Sequence, residues 1–129
     1  MGINMKITLK EVPYNWDDED AINYCGCGAE RQFEITANDT YTVGHIYISE
    51  DTETANGIAC PVYVNWLEIL STYRMHHLLR PIMNAVHDMF GEFHFEASEK
   101  NAKKYRHIGA VSLGMDNLTE NEVFVYNYT

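Results

Sequence analysis

The chain has 129 residues, with 9 Lys+Arg against 19 Asp+Glu for a formal net charge of −10, and 46% of it is hydrophobic. That length and composition suit one globular domain, residues 1–129, whose core can hold without disulfides or metal. A membrane helix needs roughly 18–20 apolar residues, and the best candidate, Ile58 to Leu70, is broken by Asn65 and Glu68. The acidic balance argues against nucleic acid as a partner, because binding it requires clustered Lys and Arg.

Met5 to Val12 alternates, with Ile7 and Leu9 on one face and Lys6, Thr8 and Lys10 on the other. This predicts a half-buried first strand, stopped by Pro13. Asn15 and the acids Asp17 to Asp20 suit a helix N-terminus, and Gly26 and Gly28 keep that helix short. The acidic run would also steer a cationic partner, an attraction that salt screens. Arg31 to Thr36 and Thr42 to Ser49 read as a hairpin turning at Asn38–Asp39–Thr40. Glu50 to Gly57 is polar and reads as a loop. Ile58 to Leu70, with Val62, Tyr63, Val64 and Trp66, is the longest strand signal.

Leu79, Ile82, Met83, Val86 and Phe90 recur at three- and four-residue spacing, which predicts a helix packed on the sheet and ended by Gly91. Pro81 lacks a backbone N–H and is tolerated only in a first turn. The helix therefore starts just after Arg74–Met75–His76–His77. Glu92 to Ser98 alternates as a strand, and Ser98 to Asn101 resembles a second helix start leading to Ile108 and Gly109. Val111 to Leu113 and Glu122 to Tyr128 predict two closing strands around a turn at Asp116–Asn117, with Phe124, Tyr126 and Tyr128 in the sheet core. The order β-α-β-β-β-α-β-α-β-β predicts a mixed α/β fold, a twisted sheet of about six to seven strands flanked by helices.

Cys25 and Cys27 flank one glycine and Cys60 stands apart, a pattern that fits small reduced thiols better than a tetrahedral metal site. Of six histidines only His76 and His77 are close in sequence, and adjacent helical residues face apart, so no metal is expected. Met1 to Lys6 lacks the apolar stretch of a signal peptide, and a cytoplasmic protein is expected.

Trp66 to Arg74, followed by Leu78–Leu79–Arg80–Pro81–Ile82–Met83, sets a strand, an Arg-containing turn and a helix in succession. Tyr105–Arg106–His107–Ile108–Gly109–Ala110 follows on the next helix. This succession resembles the GNAT superfamily of acetyl-CoA-dependent N-acetyltransferases, in the compact form found in bacteria and phages. The first stretch corresponds to the family's central strand and its Arg/Gln-x-x-Gly-x-Gly/Ala turn. The second corresponds to Tyr-x-x-x-Gly-Phe, with Ala110 in place of the aromatic. Counted from Arg74, the two glycine positions carry His77 and Leu79.

The resemblance implies a single-domain GNAT fold that moves an acetyl group from acetyl-CoA to a primary amine. That amine would sit on a small molecule, a protein lysine or a protein N-terminus, and the enzyme would be a monomer or homodimer. Acetyl-CoA would lie against Leu67, Ile69 and Leu70 on the strand, Arg74, Met75, His76, His77, Leu78 and Leu79 at the turn, and Asn101 on the later helix. The turn suits an anion such as a pyrophosphate, because a helix N-terminus offers orphan N–H groups and a positive dipole end. Tyr105 matches the family acid that protonates the departing thiolate, and Glu68 is the carboxylate nearest the expected reaction centre, the candidate base. The missing glycines define the alternative: a catalytically inactive, GNAT-like acidic protein that binds or inhibits a basic partner.

Overall fold

A computed structural model describes residues 6–13 and 31–127. Met5, the first helix expected after Pro13, the Asp17–Asp20 run, Cys25, Cys27 and Tyr128 lie outside the described residues. Seven strands are present: β1 (Ile7–Val12), β2 (Arg31–Ala37), β3 (Tyr41–Glu53), β4 (Ala59–Ile69), β5 (Phe93–Ala97), β6 (Val111–Met115) and β7 (Glu122–Tyr126). A 3-10 turn (Ser71–His76) and helix α1 (Leu79–Phe90) follow β4, and helix α2 (Glu99–His107) follows β5. The strands form one sheet in the order β1-β2-β3-β4-β5-β7-β6. All neighbours are antiparallel except β4 and β5, which α1 connects in parallel. Among the described residues, no helix is long and apolar enough to cross a membrane.

Each boundary has a local cause. The β2–β3 turn places Asn38 and Asp39 at φ 55 and 56, a left-handed conformation that these two residue types adopt more readily than most. Pro81 is the third residue of α1, and Gly91 ends that helix at φ 78 with its N–H bonded to the His87 carbonyl. Ser98 precedes α2, its carbonyl accepting from the N–H groups of Asn101 and Ala102. Gly109, at φ 101, turns the chain out of α2.

Both helices join one core with the sheet. Ile82, Met83 and Val86 of α1 and Ala102 of α2 pack with Phe33, Ile35, Ile46, Phe93, Phe95 and Phe124. The expected tail core holds for Phe124 and Tyr126, and the Tyr126 hydroxyl bonds to the Asn84 side chain of α1.

One expectation needs correction. Glu50 to Gly57 is not a loop throughout, because β3 continues to Glu53 and pairs Glu50 with Val62 and Thr52 with Cys60. The ladder supplied by β4, together with the Arg31–Glu50 ion pair at 2.7 Å, outweighs the polar composition. Only Thr54 to Gly57 turns, closed by the Gly57 N–H on the Thr54 carbonyl. Phe90 packs against the core as expected but is half-buried, its ring set edge-on to Phe33 at 5.6 Å and under the Arg31 guanidinium at 5.3 Å.

Ile82, fully buried, therefore anchors α1 more firmly than Phe90. Ile82→Ala should cost about 2–5 kcal/mol. Phe90→Ala should cost less than the ~3–5 kcal/mol of a fully buried phenylalanine. Equilibrium urea denaturation checks the order, and a larger loss for Phe90→Ala would reverse the helix facing.

Candidate active site

β4 and β5 run together for only two register pairs, Tyr63 with His94 and Val64 with Phe95. At that point the ladder between β3 and β4 slips. Ile48 opposes Val64 but Tyr47 opposes Trp66, so Asn65 is an extra residue, a β-bulge. A bulge bends its strand, and this one turns β4 away from β5 where their pairing stops. The Ser49 hydroxyl donates to Asn65 Oδ1 at 2.7 Å and holds the bulge in place. The parted strands leave a cleft of two grooves, about 480 and 260 Å³ in volume. Trp66, Leu67 and Tyr105 line both, so the grooves meet at these side chains.

Behind this cleft β3 and β4 are tightly apposed. A Cβ built at Gly44 would lie 2.1 Å from the Glu68 carbonyl oxygen, so the register pair Gly44–Ile69 leaves no room for a side chain. Glu68 is half-buried and lines the larger groove, opposite His45 of β3, which is itself opposite Glu34 of β2.

The turn after β4 passes through one left-handed residue. His77 follows the 3-10 turn at φ 55, ψ 42, the left-handed region. Glycine enters that region freely, and histidine does so more often than most other residues. Leu78 caps α1 and Leu79 opens it, and both line the larger groove, so the start of that helix lies at its wall. Arg74 Nε donates to the Ile69 carbonyl at 2.8 Å, which ties the turn to the end of β4. Arg74 and His77 both line the larger groove.

Tyr105 projects from α2 against Phe95 and Phe124, with ring centroids 4.7 and 6.1 Å away. Burial pushes its phenol above the usual range, so the hydroxyl stays protonated at neutral pH. Lys104, also on the groove, holds its ammonium 5.6 Å from the Tyr105 ring.

Of the residues singled out in the sequence, Leu67, Glu68, Ile69, Arg74, His77, Leu78, Leu79 and Tyr105 converge on the larger groove. Asn101 lines the smaller one, its Nδ2 donating to Ser98 Oγ at 3.4 Å. Leu70 lines neither groove. Its N–H bonds to the Val43 carbonyl and its own carbonyl accepts from the Tyr73 N–H, so it anchors the turn instead. Met75 and His76 belong to the 3-10 turn.

Sequence reasoning missed three members of the site. Trp66, stacked on Tyr47 at 5.2 Å, read as a strand former at the head of the resembling stretch and not as a groove residue. Lys104 was passed over beside Tyr105. The bulge at Asn65 depends on the register of another strand. Cys60 is buried, donates to the Ile58 carbonyl at 3.3 Å, and has its thiol pushed up to about 11 by burial. Among the described residues, no group of three His, Cys, Asp or Glu is placed to hold a metal.

The seven-stranded mixed sheet with its two helices has the GNAT fold. Spermidine/spermine N-acetyltransferase SpeG from Vibrio cholerae, in mutant forms, is similar over 93% of this chain and 91% of its own, with a TM-score of 0.59 at 14% identity. The same enzyme in complex with manganese ions gives 93% and 90% coverage, a TM-score of 0.58 and 15% identity. Its dodecameric structure in an intermediate state gives 93% and 91%, 0.57 and 14%. No family model matches the chain, and no curated protein sequence does. At these identities the likeness is one of fold.

Proposed function

We propose that the protein transfers an acetyl group from acetyl-CoA to a primary amine. The observation that carries this reading is the position of Tyr105, a protonated hydroxyl where the two grooves meet, with Glu68 on the wall of the larger one. The amine nitrogen attacks the thioester carbonyl carbon, so a C–N bond forms and the C–S bond breaks. The sulfur leaves with the electron pair and takes the Tyr105 proton. Glu68 accepts the proton that the amine nitrogen sheds. The pantetheine arm would follow the free edge of β4, with the diphosphate at the turn from Arg74 to Leu79. A chain of net charge −10 suits a polycationic small amine. Two of the similar solved structures are named as spermidine/spermine N-acetyltransferases, which supports the same acceptor class.

Isotherms with acetyl-CoA and with free CoA test the reading directly. Arg74→Ala should weaken both about ten- to a hundredfold, the worth of a charge-assisted hydrogen bond to phosphate. The side chains at both glycine positions of the turn favour one competing outcome. A chain that binds neither compound at millimolar concentration would be the acidic, non-catalytic binding protein instead.

A further inference from the structure

The cations of this acidic chain are unevenly placed. Lys6, Arg31 and Arg106 are tied to Asp39, to Glu11 and Glu50, and to Glu122. Among the described residues the other six Lys and Arg have no carboxylate partner, and all but Lys10 gather on the turn, α1 and α2: Arg74, Arg80, Lys100, Lys103 and Lys104. Helix α2 carries Lys100, Lys103, Lys104 and Arg106 against a single acid, Glu99.

Lys100, Lys103, Lys104 and His107 recur at i, i+3, i+4 and i+7, so they form one stripe along α2. All four are exposed, whereas Ala102 is buried in the core. Lys104 belongs both to the stripe and to the wall of the larger groove, but Lys100 and Lys103 line neither groove. A ligand confined to the grooves meets Arg74, His77 and Lys104. The outer lysines are placed for something that lies across the helix.

We propose that this stripe docks an acidic protein that carries its acyl group on a phosphopantetheine arm, with the arm entering the groove beside Lys104. The inference rests on the acetyltransfer reading and names a second form of its donor. Electrostatics orient such a partner, because a chain of net charge −10 repels an acidic protein overall, and the cations without a carboxylate partner among the described residues offer one attractive face. The turn favours the same donor. Free CoA relies on a diphosphate cradle in which His77 and Leu79 stand at the glycine positions. A tethered arm gains its local concentration from the docked protein instead.

The test uses the full chain and a fluorescently labelled acyl carrier protein loaded with acetyl-phosphopantetheine, read by anisotropy. The carrier should bind, and added salt should weaken the complex. Lys100→Glu combined with Lys103→Glu should weaken carrier binding by about tenfold or more and leave the affinity for free CoA within about twofold. Lys100→Gln with Lys103→Gln should fall between, and an unchanged circular dichroism melt shows that folding is intact. A wild-type chain that binds CoA but not the carrier overturns the proposal and leaves acetyltransfer standing. So does carrier binding indifferent to both charge reversals. Binding of neither CoA nor the carrier overturns both.

Discussion

Tyr105→Phe should lower turnover by about 10²–10⁴, the usual share of general acid catalysis, while folding and acetyl-CoA binding survive. The substitution removes one hydroxyl and keeps the ring that packs on Phe95 and Phe124. A phenol is already neutral at pH 7, and burial moves its ionisation further from neutrality. The sign of the pH effect follows. Burial raises the phenol above its ordinary value of about 10, so the acid form persists throughout the neutral range and wild-type activity should not fall through Tyr105 ionisation below about pH 10. Steady-state rates with acetyl-CoA and spermidine, for both proteins and across pH, decide the matter. If the wild type turns over and Tyr105→Phe matches it within a factor of two, Tyr105 is a packing residue.

Gly44→Ala should cost about 3 kcal/mol or more, because overpacking is severe when the obstacle is backbone, and among the described glycines only Gly44 has such an obstacle. The added Cβ would fall 2.1 Å from the Glu68 carbonyl, and backbone cannot rotate away as a side-chain tip can. Relief requires β3 and β4 to separate at their Gly44–Ile69 pair, which displaces the strand that carries Leu67, Glu68 and Ile69 into the groove. Activity should therefore fall with stability. Urea denaturation gives the stability loss, and a change below half a kcal/mol would show that β3 has room to move.

The parts of this fold legible in the sequence are those with local causes. Helix α1 was readable at both ends because its apolar period is bracketed by Pro81 and Gly91. The β2–β3 hairpin was readable because Asn38 and Asp39 suit its turn. Glu68 and Tyr105 were reached through motif order, and the structure brings both to one groove. What escaped was set by partners distant in sequence. The last residues of β3 look like loop until β4 pairs with them. Asn65 becomes a bulge only because Tyr47 and Ile48 fix the register on either side of it. The left-handed backbone at His77 was hidden for a different reason: the residue type there does not announce it.

The bulge at Asn65 has a thermodynamic side. Past Val64, one edge of β4 has β3 but the other has no neighbour, so a seven-stranded sheet contains a half-laddered stretch in its middle. Its outward amides and carbonyls are obligate hydrogen-bonding groups, left to water while the cleft is open. A guest that lays an amide of its own along residues 65–69 acts as a missing strand. Occupancy and folding are then linked: at a hundredfold excess over its dissociation constant such a guest would add about 2.7 kcal/mol to the stability of the whole domain. The chain is thus an unfinished sheet, which a guest of that kind would complete.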